Sequence, residues 1–194
     1  MDEFQGRIGT SGALVKRGNK PEATTLPAIK KKTVTIPSLK NLTPLAINEY
    51  ERKTLIGAMR KNSGEYCDEL LEADNDDVDI SIYPLSKTHS LVRATCWLAA
   101  YNAGSGWWLI ENDNFPYSPT LINTDGNDYH NGIISASHKG RGIGDCWSYD
   151  SWAWNGNSFV KIDEYTTGMC KLIRLGGAWK LPTLVNDVKH VDLE

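Results

Sequence analysis

The chain has 194 residues, 40% hydrophobic and 23% charged, with a formal net charge of −3, a balance that excludes collagen-like and disordered classes and leaves room for one domain with tails. Residues 1–45 carry eight Lys/Arg against three Asp/Glu, whereas residues 46–194 carry thirteen against twenty-one. The folded part is therefore acidic, at about −8, which argues against nucleic acid as a partner. No stretch approaches the roughly 18 to 20 apolar residues of a membrane helix, so no membrane insertion is expected.

In chain order, residues 1–18 read as a short helix or collapsed arm, the remnant of a preceding region. Met1-Asp2-Glu3-Phe4-Gln5 has neither a basic n-region nor an apolar h-region. The closing Leu193-Glu194 resembles a purification-tag scar, so a chain trimmed of its leader is expected. Residues 19–45 bring Pro21, Pro27, Pro37 and Pro44 together with the Lys30-Lys31-Lys32 run. Proline fixes φ and removes a donor, so the segment reads as an extended, unpacked linker.

Ala46–Lys61 is the one clear helix, with Ile47, Tyr50, Ile56 and Met59 assigned to its apolar face and Asn62-Ser63-Gly64 as its stop. A short helical turn is expected at Tyr66–Leu71. The period then changes to that of strands: Asp79–Tyr83, Ser90–Tyr101, Gly106–Glu111, Thr120–Thr124, Gly132–Ser137, Ser151–Trp154, Ser158–Tyr165 and Met169–Leu175. Asn155-Gly156-Asn157 supplies the strongest hairpin turn. The fold class is thus α+β: a mainly antiparallel β meander over residues 46–185 with one N-terminal helix and two disulfides, followed by a tail at 186–194.

The disulfides rest on Cys67, Cys96, Cys146 and Cys170. None forms a C-x-x-C pair and no His stands at zinc-finger spacing, so neither a structural metal nor a cofactor is expected. Four cysteines allow three pairings. The local one, Cys67–Cys96 with Cys146–Cys170, is preferred because each bridge then closes one strand-containing loop. On the chain-entropy model such loops stabilise by about 3.5 kcal/mol each. Bridges of this kind belong to the periplasm or the cell exterior rather than the cytosol.

All seven Trp lie between Trp97 and Trp179. The adjacent Trp107 and Trp108 should point to opposite sides of their strand, and one of them is the expected exposed ring of an aromatic platform. Core packing is the competing reading for both. The acidic clusters Glu72–Asp79 and Glu111–Asn114 miss the EF-hand spacing and read as solvated loops.

The densest constellation is Ser135-Ala136-Ser137-His138-Lys139-Gly140-Arg141-Gly142-Ile143-Gly144-Asp145-Cys146-Trp147. Its glycines permit positive φ or close backbone approach. His138, Lys139, Gly140 and Arg141 make the candidate binding loop, able to offer a guanidinium fork and backbone N–H groups to an anion. In the competing reading Arg141 pairs with Asp145 and locks a turn beside Cys146. A third makes His138 a general base, oriented by Asp145 or Asp128, with Ser135 or Ser137 as nucleophile.

The string His138–Cys146 resembles the signature of a proteobacterial envelope family known as domain of unknown function 1176. Cys96-Trp97-x-Ala99-Ala100-Tyr101-Asn102, Trp152-Ala153-Trp154, Thr167-Gly168-Met169-Cys170 and Gly176–Thr183 resemble further blocks of that family, and Trp147 stands where a small residue is expected. The resemblance implies longer exported proteins of which this chain matches the C-terminal portion, an oxidising compartment and disulfides. It brings no catalytic residue with it.

These features together predict a non-catalytic, periplasmic or secreted binding module. Its partner would be a protein or glycan of the envelope, anionic or carbohydrate-bearing, met through the basic loop with Trp107 or Trp108. Inhibitors of lysozyme-type enzymes are a concrete subclass. The alternatives are a cell-wall hydrolase using His138 and a purely structural envelope domain.

Overall fold

The computed structural model describes residues 2–21, 30–64 and 66–191; residues 22–29, at the centre of the expected linker, and Leu193-Glu194, read above as a tag junction, lie outside them. The chain divides into Met1–Lys31 and Lys32–Glu194. In the first unit, turns rather than a helix wrap the Asp2 carboxylate, which is 4% exposed. It accepts the Leu14 and Val15 amides at 2.5 and 2.8 Å and pairs with Arg7 at 2.8 Å. The Val15 amide leads the interactions that hold its pKa below the usual carboxylate value.

The second unit begins with β1 (Thr33–Pro37), then α1 (Glu49–Lys61) and α2 (Asp68–Glu72). Asn48 and Glu51 cap α1 reciprocally: the Asn48 Oδ1 accepts the Glu51 amide at 3.0 Å, and the Glu51 carboxylate accepts the Asn48 amide at 2.8 Å. Leu55, Ile56 and Met59 form its buried face. Tyr50, expected on that face, is 72% exposed. At roughly 100° per residue it stands nearly opposite Met59.

Nine strands follow: β2 (Ile80–Pro84), β3 (His89–Leu98), β4 (Ala103–Glu111), β5 (Thr120–Gly126), β6 (Asp128–His130), β7 (Ile133–Lys139), β8 (Trp147–Trp154), β9 (Phe159–Thr166) and β10 (Leu181–Val185) complete two antiparallel sheets. Their orders are β2-β3-β4-β5 and β10-β9-β8-β7-β6, and β11 (Asp187–Val191) pairs parallel with β1 in a separate two-stranded ribbon. The fold is β-rich with antiparallel sheets, a small helical part and two disulfides, Cys67–Cys96 and Cys146–Cys170. No cysteine among the described residues is free.

Alternation along β3 and β4 sorts side chains into two cores. Val92, Ala94, Cys96, Trp108 and Ile110 face α1 and α2; Leu91 and Trp107 face the second sheet, where Ile134 and Trp154 meet them. Trp107 and Trp108 are 1% and 0% exposed. The expectation that one of these rings reaches solvent is therefore corrected: the central strand has a packed layer on each side. Trp108 covers Gly106 and the Cys96 sulfur. A Cβ at Gly106 would come within 2.1 Å of the indole.

Three further sequence expectations change. The proline-lysine segment contains β1, whose Val34 and Ile36 are buried against Ala153 and Ile162. The tail contains β11, which supplies the other strand of that ribbon. Met169–Leu175 is not a strand: Leu172 adopts φ 57° and its amide donates to the Asp145 carboxylate, while Gly176 donates to the Gly144 carbonyl. Amides spent on loop partners cannot form a ladder. Conversely, β8 begins at Trp147, four residues before the expected Ser151.

Candidate functional site

The outer face of the second sheet is divided between two environments. In β7 and β8, Ile133 pairs with Ala153, Ser135 with Ser151, Ser137 with Tyr149 and Lys139 with Trp147. Directly paired residues share a face, so these side chains form one continuous surface. At the Ala153 end the β1–β11 ribbon covers it with Val34, Ile36 and Val188. The other end, toward Trp147, is only partly covered.

Across that open half run Trp147, Tyr149 and Tyr165. The first two rings are near-parallel at 6.0 Å and the second two at 4.5 Å. Lys139 Nζ stands 5.6 Å from the Trp147 ring centroid and Lys180 Nζ 4.2 Å from that of Tyr165, so a cation flanks each end of the row. Beside the tyrosines lies a groove of about 290 Å³, lined with Asn127, Asp128, Ser135, Ser137, Ser151 and Asp163. Asp163 Oδ2 accepts from Lys180 at 3.3 Å. Burial first, and the neighbouring Tyr149, push the Tyr165 phenol pKa up.

The glycine-rich loop abuts this row. Gly140 donates to the Cys146 carbonyl at 2.9 Å, Gly144 takes φ 72°, and Trp147 Nε1 donates to the Gly144 carbonyl at 2.9 Å. Positive φ and close approach are thus both used, at Gly144 and Gly140. Arg141 closes on Asp145 through both arms of its fork, Nε to Oδ1 at 2.7 Å and Nη2 to Oδ2 at 2.6 Å. The Arg141 donors, opposed by burial and aided by the Leu172 amide, hold the Asp145 carboxyl at a pKa of about 2. This is the turn-locking arrangement, and the guanidinium is already occupied by its own chain.

Lys139 therefore remains the loop cation nearest the open face. His138 points the other way: its Nε2–H donates to the Asp125 carbonyl at 2.9 Å, and its ring meets Trp97 at 5.2 Å. Asp128 pairs with Ser135 on the outer face, so His138 and Asp128 project from opposite sides of the sheet. With Asp145 taken by Arg141, the His138–aspartate pairs considered for hydrolysis are not assembled. The Asp145 carboxylate also lies within 4.8 Å of the Cys146 and Cys170 sulfurs. Those sulfurs are joined to each other, so they are not thiolate ligands for a metal.

Sequence reading missed Tyr149, Tyr165 and Lys180. Tyr149 fell outside the strand as bounded from the sequence, and Lys180 reaches the row from beyond a loop read as a strand.

The fold and this face define a disulfide-stapled two-sheet β domain with a half-covered outer sheet, of a kind built outside the reducing cytosol. The chain belongs to the family described as protein of unknown function (DUF1176), whose model matches residues 1–186. It is similar to "Uncharacterized protein YpfG" of Escherichia coli (strain K12), with 24% identity over 203 residues covering 95% of this chain and 55% of that protein. The chain thus spans about half the length of that curated relative. No solved structure gives a significant match. No helix among the described residues is long and apolar enough to cross a membrane.

Proposed function

We propose that this domain is a non-catalytic binding module of the cell envelope, working in the periplasm or outside the cell, and that it recognises a carbohydrate-bearing partner on the open half of its second sheet. The observation that carries the reading is the Tyr149–Tyr165 wall beside a groove of serine, asparagine and aspartate groups, with Lys139 and Lys180 at the ends of the aromatic row. Sugars combine apolar C–H faces with closely spaced hydroxyls. Aromatic side chains receive the first and short polar side chains the second. The lysines favour a glycan that carries carboxylate or phosphate groups.

The groove is shallow and at the small end of the range for ligand clefts, which suits a terminal sugar better than an enclosed small molecule. Of the loop named from the sequence, Lys139 keeps a binding role, while Gly140 and Arg141 shape the turn beside it. An inhibitor-like loop entering a carboxylate-lined cleft would have Lys139 as its leading cation.

Titration with soluble peptidoglycan and lipopolysaccharide fragments tests the reading. Tyr149→Ala and Tyr165→Ala, both at partly exposed positions, are expected to keep the fold and weaken binding by tenfold or more. Binding that survives both substitutions, or no binding to any envelope glycan by the intact domain, overturns it and favours a structural role.

A further inference from the structure

Between Glu164 and Asp187 the chain has no acidic residue, yet it carries Lys171, Arg174 and Lys180 in a domain that is otherwise acidic. The same stretch exposes Met169 at 76%, Leu172 at 65%, Ile173 at 66%, Leu175 at 74% and Trp179 at 63%. Monomeric proteins seldom leave so many large apolar side chains of one segment in water without a use. The loop is nonetheless held in place. Cys170 is bonded to Cys146, the Leu172 amide donates to Asp145 at 2.6 Å, and the Gly176 amide donates to the Gly144 carbonyl at 2.8 Å. Ile143, itself 55% exposed, precedes Gly144 in the strand of chain to which this loop is tied.

We propose that residues 169–180 form a peripheral docking surface for the anionic face of a lipid bilayer. Three properties point to lipid. Lys171 and Arg174 stand in a segment without acids, complementary to anionic headgroups, while Lys180 is paired with Asp163. The apolar residues protrude, and an interface accepts protruding aliphatic and indole side chains without a shaped cup, whereas a protein partner needs one. The bridge and the two amide bonds order the loop beforehand, so little conformational freedom is lost on docking. Of this surface only Lys180 also belongs to the aromatic row proposed for glycan, and the substitutions below leave Lys180 in place, so either assignment can fail without the other.

The test is sedimentation of the intact, oxidised chain with vesicles of phosphatidylethanolamine and phosphatidylglycerol, against vesicles of phosphatidylcholine alone, at low and physiological salt. Binding at least tenfold stronger to the anionic vesicles is expected. Ile173→Ser with Leu175→Ser should weaken it about tenfold or more, and Lys171→Glu with Arg174→Glu by at least fivefold per cation, since a basic residue near an anionic surface is worth about that factor. Trp179→Phe should remove a fluorescence blue shift seen on binding.

These residues are exposed, so the variants should fold as the parent does, which circular dichroism verifies. Three results overturn the proposal: no preference for anionic vesicles, binding lost on changing Lys30–Lys32 but not the loop, or a concentration-dependent dimer abolished by Ile173→Ser with Leu175→Ser. The last would assign the surface to a second copy of the chain.

Discussion

Gly140 rests against the Cys146 sulfur, and a Cβ built on it would lie 2.7 Å from Cys146 Sγ and 3.2 Å from Cys170 Sγ. The exposed turn of the basic loop is therefore closed over the bridge, and an exposed residue of the motif is also tightly constrained. Gly57 makes the opposite case: a Cβ at this position within α1 would meet nothing within 4 Å. Gly140→Ala is expected to cost about 1 to 3 kcal/mol, as overpacking does. Gly57→Ala should stabilise by about 0.5 to 1 kcal/mol through helix propensity. Urea denaturation of the two variants beside the parent checks both signs, and equal effects would contradict the packing around the bridge.

The Asp145 carboxyl is held at about 2, mainly by Arg141, against an ordinary carboxylate value near 4. Because the folded pKa is depressed, the stabilisation is complete above about pH 4 and disappears as pH falls toward 2. Asp145→Asn should therefore destabilise the domain at pH 7, with the difference from the parent shrinking between pH 4 and pH 2. Among single alanine variants of His138, Lys139 and Arg141, Arg141→Ala should give the largest fall in melting temperature, since it leaves a buried carboxylate without its main partner. A pH-independent difference for Asp145→Asn would show that the pair contributes only shape.

Trp107 and Trp108 belong to the two cores rather than to a platform. Trp107→Ala and Trp108→Ala are each expected to cost about 3 to 5 kcal/mol. Tyr149→Ala and Tyr165→Ala, on the partly covered face, should cost under about 1.5 kcal/mol, the scale of an aromatic pair contact. Thermal denaturation separates the pairs, and a mild Trp107 variant would mean that the space between the sheets is less filled than described.

Much of the fold was legible in local chemistry. Alternation placed β2, β7 and β9 to within a few residues, because a strand with one face in a core repeats every second residue. Asn155-Gly156-Asn157 announced its hairpin because Gly156 takes φ 98° and the Asn155 Oδ1 accepts the Asn157 and Ser158 amides at 2.9 Å. The pairing of the cysteines followed from sequence proximity. The β1–β11 ribbon was not legible: Thr33 meets Asp187 from the far end of the chain, and five residues of alternation in β1, set among prolines and lysines, do not name so distant a partner.

The glycine-rich motif divides along the same line. Its residue types and spacing by themselves determined that a tight, cation-bearing turn adjoins a disulfide, because glycine conformations and cysteine pairing are largely local properties. Whether its cations were free was decided by tertiary structure alone: Arg141 found Asp145, His138 turned inward to Trp97 and the Asp125 carbonyl, and Lys139 stayed beside Trp147. The open face was decided there as well, since Tyr165 comes beside Trp147 and Tyr149 only when β8 pairs with β9, and Lys180 joins them only after the 169–180 loop has turned back. Side chains far apart in sequence share a surface through strand register, and register is fixed by burying the opposite face of the sheet.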